Sequence, residues 1–321
     1  MTYIMIRYFL KRLLLMIPTF FVILLIAYFM TSNLTGTQVD DINAYGTGDA
    51  LDAFYEKVDA PDNRATKFVR YCYDLIVHGE MGKGPNGSYI KEELAFRLKY
   101  TAIVAALGFA LSIIIGVPLG IIAAVHHNRW PDHSVSLVST FLASIPSYCL
   151  VLFLVFVFCL WLDVLPLMGI TSWKSYVMPA IVLGAGGMAL ASRMTRSAVL
   201  DILSKPYLTV LRAKGLPEWQ ILYKHVLKNA VSPILSVAGN IAVAVLCSTL
   251  IVENFFSIPG LGAYLIGAVI RREQLRLLGT IVVLAIIIML IGFTADMLGA
   301  LCNPRFRKQI RKTGGRKGAW E

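Results

Sequence analysis

Six apolar runs, each near the length needed to cross a bilayer, divide this sequence. A helix rises 1.5 Å per residue, so about 20 apolar residues cross roughly 30 Å of hydrocarbon. The first run is Leu13–Met30, reached through Tyr8–Leu10; the others lie near 100–125, 134–162 (broken by Pro146), 176–197, 230–252 and 279–301. Lipid offers no partner for a backbone amide or carbonyl, so each run is expected to satisfy its own hydrogen bonds as a helix. The pattern predicts an all-α integral membrane protein with six transmembrane helices. Composition agrees. Hydrophobic residues make up 57% of the chain and charged residues 15%, against roughly 25% charged in soluble domains.

Charge orients the spans. The net charge of +11 sits in breaks beside apolar runs. That placement fits the excess of Lys and Arg in cytoplasmic loops, and no recognition motif points to nucleic acid. With the N-terminus inside, the inner segments hold Arg7, Lys11, Arg12, Arg129, Arg193, Arg196, Lys205, Arg212, Lys214, Lys224, Lys228 and the basic tail 303–321. Their acids are few: Asp132, Asp201, Glu218 and Glu321. Both termini are therefore expected in the cytoplasm, with Arg193 and Arg196 snorkelling to the headgroups and the tail near membrane lipid. The first run is longer than a signal-peptide core and no A-x-A site follows it, so it reads as a span.

Residues 31–99 carry eleven acidic and eight basic residues and read as a small mixed extracytoplasmic subdomain between spans one and two. Leu51–Val58 and Asn63–His78 have helical apolar spacing, the second aligning Phe68, Cys72, Leu75 and Ile76 on one face. Gly82–Ser88 is a turn-rich break that lacks the Gly-Lys-Ser/Thr ending of a phosphate loop. The three histidines of His126–His133 have no Cys or carboxylate set beside them and read as a solvated loop, with no metal. The five cysteines are scattered and suggest neither disulfides nor zinc.

The longest basic interruption is Lys205–Pro233. Pro206 fits a helix start and Gly215-Leu216-Pro217 a break, so two short helices joined at Gly215 are expected, followed by span five. The second helix presents Trp219, Tyr223, Lys224 and His225. On these residues alone, the segment is equally a protein-docking surface or a lipid anchor.

Ala213-Lys214-Gly215-Leu216, then His225 through Ala230 and Pro233, resembles the cytoplasmic loop of type I ABC importer permeases. The resemblance is closest to the first-permease subunit of the dipeptide, oligopeptide and nickel branch. Other pieces agree in order. They include Lys11-Arg12-Leu13-Leu14, Gly116-Val117-Pro118-Leu119-Gly120, Met178-Pro179-Ala180, Arg193–Ser197, Phe256–Gly262 and Asn303-Pro304-Arg305. In that family the transmembrane domain corresponds to residues 94–302 and the coupling loop to 205–229. The sequence departs from the broader pattern at Thr209, Val210 and Leu211, where the loop often begins Glu-Ala-Ala, and at Gln274-Leu275-Arg276 before span six.

The resemblance implies a prokaryotic cell-membrane permease subunit that forms half of a pathway for di- or oligopeptides. The same architecture importing nickel or another metal chelate is the alternative. It implies cytosolic ATPase subunits that bind ATP and magnesium, no cofactor in this chain, a second homologous permease, and an extracytoplasmic substrate-binding protein. It assigns ATPase coupling to Ala213, Lys214, Gly215, Leu216, Pro217, Trp219, Tyr223, His225 and Asn229. Structural or pathway roles are expected for Asp296, which a base from the N-terminus or Arg305 could pair, and for Pro259, Gly260 and Gly262. A channel, a secondary transporter or an intramembrane enzyme would need intramembrane charge or a nucleophile–base set. The five histidines all lie outside the span cores, and no hydrolase motif is present.

Overall fold

The computed structural model describes residues 2–32, 64–85 and 87–302. The helix expected at Leu51–Val58 and the tail 303–321 lie outside them. The described residues form ten α-helical segments, short 3-10 and π-helical turns beside or within them, and one isolated bridge, Lys83 with Tyr89. They are α1 (Thr2–Thr31), α2 (Arg64–Tyr73), α3 (Ile90–Val125), α4 (Trp130–Ser144), α5 (Ser147–Val155), α6 (Val177–Leu203), α7 (Pro206–Ala213), α8 (Glu218–Phe255), α9 (Leu261–Ile270) and α10 (Gln274–Cys302).

The centre of the bundle is the contact of α3 with α6. Lipid tails are as apolar as leucine, so helices in a membrane associate by close packing, and small residues permit it. A Cβ at Gly116 would lie 2.6 Å from the Ala191 Cβ and 2.7 Å from the Met188 carbonyl; one at Gly120 would lie 2.5 Å from the Ser192 carbonyl. Ser112 crosses the same seam, donating to the Gly108 carbonyl (2.8 Å) and the Gly184 carbonyl (3.2 Å). Helix α8 completes the core with Val237, Ile241 and Val245. Burial follows position: 61% of the most apolar stretch of α6 is buried, against 17% in α1. Leu14, Leu15, Val22 and Ile26 of α1 are exposed, as lipid-facing side chains are.

Helix α1 lies along α10. Phe9 meets Phe293 with ring centroids 4.9 Å apart, Arg12 pairs with Asp296, and Leu24 packs on Val282 with Cys72 of α2. In α2 the expected face is only partly right. Phe68, Cys72 and Leu75 turn inward with Tyr71, while Ile76 is exposed. A π-helical turn at Asp74–His78 widens the repeat and rotates Ile76 away.

Two spans differ from expectation, and a third breaks where expected. Residues 134–162 are interrupted at Pro146, and α4 and α5 are bent by 96° at the break around Ile145-Pro146. Proline disfavours helical conformation in the preceding residue, and Ile145 is extended (ψ 120). The fourth span runs on to Leu203, past 197. The segment after Gly215 is not a separate short helix, since α8 continues unbroken from Glu218 to Phe255. Among the described residues, five helices are thus long and apolar enough to cross a membrane, or six if the bent pair counts as one span.

Arg196 does not snorkel. Its Nε and Nη2 donate to Asp132 at 2.5 and 2.8 Å. Asp132 is 1% exposed and also accepts the Asn128 amide at 2.9 Å, with His127 Nδ1 3.2 Å away. This knot ties the start of α4 to α6. Arg196→Ala leaves a buried carboxylate without its main partner and is expected to cost about 3 kcal/mol. Asp132→Asn with Arg196→Gln is expected to recover most of that loss, read as the melting midpoint of the purified protein in detergent.

Candidate functional site

At the end of the bundle where α3, α6 and α10 finish, a cluster of Ala124, Val199, Ile202, Leu208, Ile221, Val226 and Ala230 forms a platform. Helices α7 and α8 lie on it. Leu208 of α7 is fully buried against the ends of α3 and α6. After Ala213 the helix closes in a Schellman motif. The Gly215 amide donates to the Arg212 carbonyl (2.9 Å) and the Leu216 amide to the Leu211 carbonyl (3.3 Å), and Leu211 and Leu216 both pack on the platform. The motif needs a left-handed residue, which Gly215 supplies at φ +78. Pro217 is extended and opens α8 at Glu218. Arg212 reaches across the break to Glu218 (Nε–Oε1 2.7 Å), whose hydrogen bond and charge hold the guanidinium above its usual range. Both groups are well exposed, so the pair shapes the corner and adds little stability.

The first turns of α8 include a π-helical stretch, Ile221–Leu227. Its wide turn places Ile221 and Val226, five residues apart, both on the platform. Trp219 and Tyr223 are turned the other way, 63% and 64% exposed. Asn229 donates to the His225 carbonyl (2.6 Å) and to Tyr207 Oη of α7 (3.2 Å), locking the two helices together. The structure thus brings the predicted residues to one corner. Ala213, Lys214, Gly215, Pro217, Trp219 and Tyr223 form an exposed ridge, Leu216 and His225 are half-buried, and Asn229 is the brace. A cavity of about 790 Å3 lies under Trp219, between Arg212, Glu218, Leu200 and His127. Arg212 and Tyr207, which shape this corner, were not singled out from sequence.

Pro259, Gly260 and Gly262 sit at the opposite end and serve a different purpose. Glu253, in the last turn of α8, is fully buried. Its Oε2 accepts the Gly262 amide at 2.7 Å and the Ala263 amide at 3.4 Å, capping α9 from a distance. Thr101 of α3 accepts the Leu261 amide at 2.8 Å. A Cβ on Gly260 would stand 2.3 Å from that carboxylate, and one on Gly262 2.6 Å from the Leu250 Cα. These glycines leave room for the carboxylate. The sequence signal for the burial of Glu253 is an acid at the end of an apolar run, nine residues before a glycine. Asp296 faces Arg12, the pairing with an N-terminal base that the sequence had suggested.

The family described as "Binding-protein-dependent transport system inner membrane component" matches residues 116–308. The chain is 30% identical over 305 residues to the glutathione transport system permease protein GsiC of Shigella flexneri serotype 5b (strain 8401), a match covering 94% of this chain and 99% of the relative. GsiC of Escherichia coli (strain K12) matches to the same extent. Among solved structures, an inward-facing form of the MetNI methionine ABC transporter superposes with a TM-score of 0.57 at 20% identity, over 65% of this chain and 96% of that one. That likeness is one of fold.

Replacing Gly215 tests the corner. Gly215→Ala is expected to cost about 1–2 kcal/mol through its left-handed backbone, while Gly215→Pro also removes the amide bonded to Arg212. Limited proteolysis between α7 and α8 is expected to quicken in the order wild type, Ala, Pro.

Proposed function

Because the chain belongs to the binding-protein-dependent transport system inner membrane components, the permease subunits of ABC importers, we propose that it carries short peptides and is driven at the Gly215–Asn229 corner. As a permease subunit it is a multi-pass inner-membrane protein and not an enzyme; its family works with cytosolic ATPases and a substrate-binding protein. The finer reading starts from the exposed Trp219–Tyr223 ridge, the observation that carries it. An aromatic pair held on a rigid platform, beside Lys214 and Lys224, suits a groove on a protein better than a solvated loop does.

In this reading the ridge faces the cytosol, as the basic residues clustered at its end favour. ATP and magnesium bind to the ATPase subunits. Their closure pushes on the corner, and the platform passes that motion to α3 and α6, switching the pathway between inward-open and outward-open states. A second, homologous permease supplies the other half of the pathway. Residues 64–85 and α9 then lie outside, where the binding protein docks. Peptide is the preferred cargo because the GsiC relatives are named for glutathione, itself a short peptide.

Two measurements check this. In the assembled complex Trp219→Ala is expected to reduce substrate-stimulated ATP hydrolysis about tenfold or more, the effect of removing a buried interface aromatic; an unchanged rate would remove the ridge from coupling. Glu80 is exposed on the proposed outer side. In a protein whose native cysteines are changed to serine, Glu80→Cys is expected to react with an impermeant maleimide on intact cells, and labelling only after lysis would invert the topology.

A further inference from the structure

At the end of the bundle opposite the coupling corner, a pocket of about 320 Å3 opens between the start of α3, α9 and the turn leading into α10. Its lining carries three arginines, Arg97, Arg271 and Arg276, and two acids, Glu93 and Glu273. The acids are already engaged. Arg276 donates to Glu273 at 2.7 Å and to Glu93 at 3.0 Å. Glu93 also accepts the hydroxyls of Ser88 and Tyr264. Arg97 differs. Its guanidinium carbon lies over the Tyr264 ring, 4.4 Å from the centroid, and the group donates no hydrogen bond to a described residue. A half-buried guanidinium with its fork of N–H donors unengaged, held by an aromatic face, is matched to a carboxylate taken bidentately.

We propose that this pocket is a docking socket for a carboxylate side chain of the extracytoplasmic binding protein, with Arg97 as its principal ligand. The inference rests on the permease reading and on the topology given with it. One observation favours a protein side chain over the transported solute. One helical turn deeper than Arg97, Thr101, Leu261 and Glu253 are all fully buried and close the way into the bundle at this point.

The test is a titration of the assembled complex in nanodiscs with the purified binding protein of the same importer, at about 50 and about 300 mM salt. Arg97→Gln is expected to weaken binding about tenfold or more and to flatten its salt dependence. Arg97→Lys, which keeps the charge and loses the fork, is expected to fall between wild type and Arg97→Gln. Gel-filtration volume and melting temperature serve as the folding control; should Arg97→Gln fail to assemble, Arg97→Lys decides. Wild-type affinity in the variants overturns the socket. So does unchanged affinity with slower transport at saturating binding protein, which would put Arg97 on the solute's route. A wild-type complex that ignores the binding protein would overturn the permease reading itself, and the socket with it.

Discussion

The close approach of α3 and α6 is the contact on which the rest of the chain depends. Within lipid, burying apolar side chains gains little, so the bundle is held by dispersion at short range and by a few polar crossings. At Gly116 and Gly120 the backbone of one helix replaces the side chains of the other. Because those two helices meet along their length, their ends at Ala124, Val199 and Ile202 form one surface. That surface is the platform for α7 and the start of α8. A bulkier residue in the seam would not only separate two helices; it would divide the base that presents Trp219 and Tyr223.

Polar groups fix what packing alone leaves free. The Asp132–Arg196 pair sets where the bent α4–α5 arm leaves the bundle. Glu253 and Thr101 bind the amides at the start of α9 and so hold a helix too short to span against the ends of three others. Each is buried, so each is costly to leave without its partner. That cost makes the two ends of the bundle well defined, although the lipid-facing surface between them is nearly featureless.

Much of this was legible in the sequence, because the strongest signals are local. The apolar runs located the spans, since their length is set by the bilayer. Gly215 announced its turn, because a Schellman motif is built within six residues and asks for glycine at one of them. What was hidden depends on partners far apart in the chain. Arg196 looked like a snorkelling residue until its partner 64 positions earlier was seen to be buried. The burial of Glu253 was hidden because its partners, the amides of Gly262 and Ala263, carry no side-chain signal. Pro146 marked a break but not its 96° angle, which the surrounding helices set. The π-helical turn at Ile221–Leu227 leaves no compositional trace, yet it decides which aromatics face outward.

The continuity of α8 has a mechanical meaning. With 38 residues it is about 57 Å long. It carries the exposed aromatic ridge at one tip and the carboxylate that seats α9 at the other. Its hydrogen-bond ladder departs from regularity at the π-helical turn, which carries the ridge, and at Pro233, one turn before the mid-length contacts. Beyond Pro233 it is a regular rod, clamped near mid-length by Val237, Ile241 and Val245. Such a rod is a beam on a fulcrum. A tilt of about 5° about its middle swings each tip by roughly 2–3 Å in opposite senses, so a shove at one membrane face would arrive at the other as a pull on the seat of α9.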